Sequence, residues 1–399
     1  MLIFHPAAPS DAGPLVGALS AARGELAERQ RIAFMAAGAD EAEIVTGPPD
    51  GLSFGERLAA AVRARGVAGP ARHAEGGATG PGGGVTGQVM GSAAGLVPGH
   101  AAGGVIVVGS GSIPLAQAAD LRRFVEVAAG PGGYALTNNR YSADVVAVSR
   151  AADLEGMPPL PVDNALPRWL EERAGVAVAD LRSRWRLGVD IDTPLDLLVL
   201  GGPAARGLRV TAPLIGERLA VLAEIVTNRR AELLVAGRVS AATLRWLESG
   251  VACRVRALVE ERGLRAASRL AQSGATAGSR PPRSVLGELL DRDGPDALAR
   301  LVSRLADAAI IDTRVLLAHR LGSDESAWPP QEDRFASDLL LPRSIADPWL
   351  RALTESAAGA AAPSDATTPL SDHPVLLGGH TMVNGGLRLL ARRARAVAK

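Results

Sequence analysis

The chain has 399 residues, 47% of them hydrophobic, more apolar material than one small core takes up, so two domains are expected, residues 1–202 and 203–399. Its 43 basic and 42 acidic residues are interspersed and leave a net charge of +1, a balance without the electrostatic footprint of a nucleic-acid-binding or membrane-surface protein. The single cysteine, Cys253, excludes an internal disulfide and a thiolate metal cluster and reads as a small buried hydrophobe. The segment from Met1 to Pro6 lacks the basic stretch and apolar run of a secretion signal. No later stretch supplies the about twenty uninterrupted apolar residues of a membrane span, so a cytoplasmic protein is expected.

Through the first half, apolar runs alternate with helical stretches, the pattern of a mainly parallel α/β sheet. Residues 2–4 read as a short strand, 12–37 as a helix with a break at Gly24, 43–46 as a strand and 53–65 as a helix. Residues 71–99, with Gly76, Gly77 and Gly82 to Gly84, are too glycine-rich for a regular element and read as a loop. The clearest strand is 104–109, Gly-Val-Ile-Val-Val-Gly, whose uniform apolarity implies burial on both faces. It leaves through Ser110, Gly111, Ser112, Ile113 and Pro114. Their hydroxyls and backbone N–H groups suit an anion, and they suit a plain strand-to-helix turn as well. A helix over 116–129 follows, then strands over 134–137 and 144–149. The turn between those strands carries Asn138 and Asn139, polar groups placed to hold a ligand, and a further helix ends at 174.

The most informative segment comes next. In Val189-Asp190-Ile191-Asp192-Thr193-Pro194, a strand end would send Asp190 and Asp192 to one face and Val189 and Ile191 to the other. Thr193 is then a natural N-cap, and Pro194 takes the first helical position, where its missing N–H costs nothing. Two carboxylates beside a helix N-terminus suit Mg²⁺ and a phosphorylated ligand. Local capping explains Asp192 equally well, with Asp190 a solvated strand-end residue.

The order of these elements resembles the nucleotidyltransferases of the GT-A type, and among them the guanylyltransferases of molybdenum-cofactor and 2-phospho-lactate (deazaflavin-cofactor) synthesis. The resemblance covers residues 2–200. It rests on Ser112-Ile113-Pro114-Leu115 after the buried strand, on the polar turn at 136–144, and on Asp190-Ile191-Asp192-Thr193-Pro194-Leu195-Asp196-Leu197. This last is similar to the family's Asp-x-Asp-Thr-Pro-x-Asp-Leu and is the most specific of the three. The resemblance implies a mixed, mainly parallel sheet of the GT-A type. It also implies transfer of a nucleotidyl group from an NTP to a small phosphorylated or alcohol acceptor, with Mg²⁺ held at Asp190 and Asp192. Two positions depart from the family. The first strand runs into His5-Pro6-Ala7-Ala8-Pro9, where the family has a glycine-rich loop with an Arg and a following Lys around the triphosphate. Ser112 stands where the family places a metal-binding aspartate, and a hydroxyl is a weaker ligand than a carboxylate for a hard cation.

Past Gly201-Gly202-Pro203, the chain reads as a second, smaller α/β domain. Residues 231–236 are a strand with Gly237 and Arg238 as its exit, and Ser240 caps a helix expected from 241 to about 261, bent at Gly250. A Gly/Ser/Pro-rich connection at 271–282 precedes helices over 284–291 and 296–305. The apolar run before Asp312 is a buried strand, with Asp312 and Arg314 emerging near its end. A third strand at 374–377 leaves through Gly378-Gly379-His380 toward Asn384, a glycine-rich exit that lets backbone approach a ligand closely. With Arg238, Asp312, Arg314, Gly379, His380 and Asn384 all at strand C-termini, they converge on one crevice fit for a phosphorylated or carboxylated small molecule. Singly, Asp312 and Arg314 also fit a structural ion pair, and His319, inside an apolar run, a hydrogen-bonded structural histidine. Glu332-Asp333-Arg334 reads as a solvated loop, and His5, His73 and His100 have no zinc-site spacing.

Two readings follow. In one, the first half binds a nucleotide and Mg²⁺ near Asp190 and Asp192, and the second half holds or processes the acceptor. In the other, the first half is catalytically silent and serves ligand binding or assembly, with any activity in the second. The expected partner is a nucleotide or phosphorylated metabolite, without nucleic acid or membrane, and a homo-oligomer is left open.

Overall fold

The computed structural model describes residues 1–47, 54–64, 103–154, 156–158, 160, 163–261, 282–359 and 373–397, which form two sheets with helices on their faces. The loop expected at 71–99 and nearly all of the connection at 271–282 lie outside the described residues, as do both ends of the helix expected over 53–65, His73 and His100.

The first sheet is laid down as β1 (Leu2–Pro6), α1 (Pro14–Ala36), β2 (Glu43–Gly47), α2 (Phe54–Ala64) and β3 (Val105–Gly109). It is completed by α3 (Ala118–Ala128), β4 (Tyr134–Thr137), β5 (Val145–Val148), α4 (Leu166–Glu172) and β6 (Ala177–Asp180), after which α5 (Pro194–Leu200) leads away. The strand order is β2-β1-β3-β5-β4-β6, with parallel pairings except at β5, which runs against both of its neighbours. β3 has its first four residues buried, as its unbroken apolar run dictates. β6 is a strand the sequence did not announce: Ala-Val-Ala-Asp carries little intrinsic signal, and its pairing with β4 from Tyr134↔Ala177 to Thr137↔Asp180 makes it one. Gly24 does not break α1. A Cβ there would stand 3.3 Å from His5 Nε2, so this glycine serves close packing of helix on strand end.

The remaining elements are α6 (Ala204–Thr211), α7 (Pro213–Ile225), β7 (Glu232–Gly237), α8 (Ala241–Gly250), β8 (Arg254–Val259), α9 (Val285–Asp293) and α10 (Leu298–Ser303). β9 (Ala308–Asp312), α11 (Thr313–Leu321), α12 (Gln331–Asp338), α13 (Pro348–Ala358), β10 (Val375–Gly378) and α14 (Leu387–Val397) follow. Here the order is β10-β9-β7-β8 and every pairing is parallel. The helix expected to reach about residue 261 stops at Gly250, and β8 then pairs with β7 over six positions, tertiary pairing overriding a weak helical pattern. Cys253 lies at this junction, buried, and burial pushes its thiol up to about 11.

Glu332, Asp333 and Arg334 lie in α12 rather than in a solvated loop. Asp333 is buried and accepts the Ala346 and Asp347 N–H groups at 2.8 and 2.9 Å. Glu332 caps α1 from outside, taking the N–H groups of Leu15 and Val16 at 2.9 and 3.1 Å; no side chain of the helix's own N-cap does so. The largest core is built on the second sheet, yet includes Leu15, Leu19, Ala22 and Leu26 of α1 together with Leu195 and Leu198 of α5. Two smaller cores cover the faces of the first sheet, one of them holding Ala27 and Phe34 from another side of α1. Among the described residues, no helix is long and apolar enough to cross a membrane.

Candidate functional site

Open parallel sheets bind ligands outside the C-terminal ends of their strands. The first sheet presents there His5 near the end of β1, the Ser110–Gly111–Ser112 bend after β3, and Asp144. Asp144 reaches this edge because β5 is reversed, so the residue before its start stands where its neighbours end; the Gly109 N–H donates to the Asp144 carbonyl at 3.2 Å. His5 Nδ1 lies 3.0 Å from Ser110 Oγ, and the Ser110 N–H donates to the Phe4 carbonyl at 2.9 Å. Burial and the charge of Arg23 lower the pKa of His5, which keeps its ring neutral at pH 7.

Residues 189–192 join no ladder. They lie between a 3₁₀ turn over Trp185–Gly188 and the start of α5 at Pro194, and the expected strand does not form because no neighbouring strand pairs with them. What forms is a strap joined to the bend by a backbone bond, from the Ile191 N–H to the Gly111 carbonyl at 2.8 Å. The approach requires glycine at 111, where a Cβ would stand 2.8 Å from the Ile191 oxygen and 2.9 Å from Arg23 Nε. Arg23, on α1, ties the strap from its other side, donating to the Ile191 carbonyl at 2.6 Å and to Asp192 Oδ1 at 3.2 Å. Capping of α5 is done by Thr193 and Asp196. Asp196 Oδ2 accepts the Asp192 and Thr193 N–H groups at 3.0 and 2.7 Å, and Thr193 Oγ1 takes the Asp196 N–H. The Asp192 side chain is therefore not spent on the cap.

Asp190 is 6% exposed and lines the cavity described below. Burial first, then the negative charges of Asp144 and Asp192, raise its carboxyl well above the usual range against a hydrogen bond from the Ile113 N–H. Ile113 makes that bond from a left-handed backbone, φ +45°, a conformation that costs a β-branched residue and marks the bend as strained. The other carboxyl oxygen, Oδ1, is buried with no hydrogen-bond partner among the described residues. Asp196 is likewise raised, to about 7, by burial and by Asp192, its cap bonds pulling the other way.

The second sheet brings its own C-terminal edge against this strap. A Cβ on Gly378 would lie 3.1 Å from the Leu195 side chain and one on Gly379 3.8 Å from Thr193 Cγ2, so the glycine exit of β10 seats directly on the start of α5. His380 then stands with Nδ1 3.6 Å from Asp192 Oδ2, and one donor atom each of Asp190, Asp192 and His380 lie within 4.8 Å of one another. Asn384 clamps the exits of β7 and β10 together. Its amide donates to the Arg238 and His380 carbonyls at 2.9 and 2.7 Å, and its oxygen accepts the Ser240 N–H at 2.8 Å. Asp312 is fully buried and takes two bonds from the Arg238 guanidinium, at 2.5 and 3.1 Å, and one from the Arg238 N–H at 3.4 Å. Burial alone would raise its carboxyl, but Arg238, with Arg314 and His380, brings it below the usual range. Arg314 pairs with buried Asp338 at 2.5 and 2.7 Å, so Asp312 and Arg314 each have a separate charged partner and share only the Arg314 N–H bond to Asp312. His319 is held between the Ser284 N–H and Asp291, each at 3.0 Å, a structural position.

Both edges open on one cavity of about 1250 Å³. Ser110, Gly111, Ser112, Asp190 and Asp192 line it from the first sheet's side, and Arg238, Arg314, Gly379 and His380 from the second's. Asn138, Asn139, Asp312 and Asn384 do not line it. Asn138 instead holds the site from behind, donating to Asp144 Oδ2 at 2.6 Å and to the Leu187 carbonyl at 2.8 Å, and Asn139 bonds the Tyr141 N–H at 3.1 Å. Six charged lining residues are not among the candidates the sequence offers: Arg23, Arg57, Asp144, Glu261, Glu325 and Arg334. Arg334 carries a bond to Glu325 at 3.1 Å and lies over the Trp328 ring, and its placement in the cavity wall follows from α12 being a helix. No family model, curated protein or solved structure matches the chain. What stands on its own terms is an α/β protein whose two sheets direct their C-terminal edges at one charged cavity.

Proposed function

We propose that the chain is a nucleotidyltransferase-like protein of the GT-A type that takes a nucleotide or other small phosphorylated metabolite into this cavity together with a divalent cation. In this reading residues 1–202 form the nucleotide-binding part and 203–399 the part that closes over the ligand. The observation that carries it is the Ile191–Gly111 bond, which sets the Asp-x-Asp-Thr-Pro element beside the serine bend on one cavity wall. A sheet that is parallel but for β5 supports the same reading. The residues fit a cation: a buried carboxylate oxygen without a donor among the described residues, Asp190 Oδ1, is an expensive arrangement that a metal ion would satisfy.

Magnesium, the ion the resemblance implies, supplies neutralisation of phosphate charge when bound. Asp190 and Asp192 would hold it, Arg23 orients Asp192, and Arg238, Arg314 and Arg334 bring positive charge to the opposite wall. Ligand binding without transfer is the second reading, favoured by Ser112 in place of an aspartate and by His5-Pro6 where the family carries its phosphate cradle. Melting the protein with each NTP and with sugar phosphates, with and without Mg²⁺, tests the proposal, since a ligand at about a hundredfold its Kd adds about 2.7 kcal/mol. Stabilisation accompanied by pyrophosphate release on adding acceptors supports transfer, and stabilisation without release supports the second reading. No shift with any phosphorylated ligand defeats both.

A further inference from the structure

The donors on the cavity floor are not the all-oxygen set of a typical magnesium site, and the difference comes from the second sheet. We propose that His380 is a ligand of the cation held by Asp190 and Asp192. Two carboxylates and one imidazole then make this a site for a manganese-class ion in preference to magnesium, completed only when both sheets are in place. The proposal takes its cation from the proposed function but stands on geometry of its own. His380 Nδ1 and Asp192 Oδ2 are 3.6 Å apart, too far for a hydrogen bond. That spacing matches two donors sharing one ion, which at metal–ligand distances of about 2.1 Å and angles of about 90–120° stand about 3.0–3.6 Å apart.

Each donor is set in place by something other than the other two. Arg23 engages Asp192 through Oδ1 and leaves Oδ2 toward His380. The Ile113 N–H fixes the carboxyl of Asp190, a residue of the cavity lining whose Oδ1 is buried and unpartnered among the described residues. Asn384 holds the His380 carbonyl, and Gly379 permits the approach to Thr193. Imidazole nitrogen suits the first-row transition ions and carboxylate oxygen suits magnesium, calcium and manganese, so manganese is the ion common to both. The same Asn384 amide holds the Arg238 and His380 carbonyls, which fixes the exits of β7 and β10 to each other at the cavity wall that both residues line.

The test uses the full chain stripped with EDTA and titrated with Mn²⁺, free ion being followed by its electron paramagnetic resonance and Mg²⁺ entering as competitor. Mn²⁺ should bind at least about tenfold more tightly than Mg²⁺. The pulsed spectrum of bound Mn²⁺ should carry the nitrogen modulation of a coordinated imidazole, retained in His5→Ala and lost in His380→Ala. The affinity of His380→Ala for Mn²⁺ should fall at least about tenfold, since even groups behind a ligand are worth that much. A nitrogen-free spectrum of the unaltered protein overturns the proposal however the variants fold, as does an unchanged affinity in His380→Ala. A Mg²⁺-dependent nucleotide response without the nitrogen signal refutes the histidine ligand and keeps the proposed function. The nitrogen signal without any response to phosphorylated ligands does the reverse.

Discussion

Replacing Asp190 by asparagine should stabilise the protein in the absence of metal and abolish its response to divalent cations. The carboxylate is buried, faces the negative charges of Asp144 and Asp192, and leaves Oδ1 without a donor among the described residues. A buried polar group in that condition costs about 1–3 kcal/mol. Asparagine keeps an acceptor for the Ile113 N–H and turns an amide N–H toward the neighbouring carboxylates, so a gain of about 1–3 kcal/mol is expected where the wild-type carboxyl is ionised. Urea unfolding at pH 8 in EDTA measures it. At cation a hundredfold above Kd the difference should move by about 2.7 kcal/mol in favour of the wild type, which gains that much while the variant gains nothing. If Asp190→Asn is less stable than wild type in EDTA, or if the cation stabilises both equally, the reading of Asp190 as a carboxylate kept for a ligand at the expense of stability is refuted.

Gly111→Ala should cost about 1–3 kcal/mol and weaken cation binding, because the added Cβ pushes the strap off the bend; unaltered unfolding and titration curves would sink this. Asp338→Ala should cost about 3–5 kcal/mol by leaving Arg314 buried and unpaired, whereas Arg314→Met with Asp338→Leu should cost less than either single change; a double-mutant cycle in urea decides it. Asp196 governs a pH dependence. Its folded pKa, about 7, lies above the ordinary 3.8, so its contribution is complete below about pH 4 and disappears as pH rises through 7. Melting temperatures in EDTA should fall across that window in the wild type and fall less in Asp196→Asn, parallel curves being the contrary result.

The strands that carry their own signal were readable from residues alone: β3 and β9 as unbroken apolar runs, β7 by its glycine exit. β6 and β8 were not, because Ala-Val-Ala-Asp and Arg-Val-Arg-Ala-Leu-Val become strands through partners far away in sequence. The acidic pair and the serine bend could be picked out as chemistry, but that they share one wall depends on the Ile191–Gly111 bond, a contact across 80 positions that periodicity cannot announce. Asp144 escaped notice since only the reversal of β5 brings a strand start to the edge where other strands end. Arg238 and His380 were singled out for a crevice of their own, and the glycines at 378 and 379 are what let the second sheet close on the first and merge the two places.

The capping of α1 by Glu332 has a consequence for dividing the polypeptide. The helix gives Ala27 and Phe34 to one interior and Leu15 to Leu26 to another, and borrows its first hydrogen bonds from α12. A fragment ending near Gly202 would expose a bare hydrocarbon stripe and loose amides at the helix's first turn. Severed pieces should therefore be insoluble singly and regain solubility when produced together, and any natural recombination of these halves would have to carry its complementary surface along.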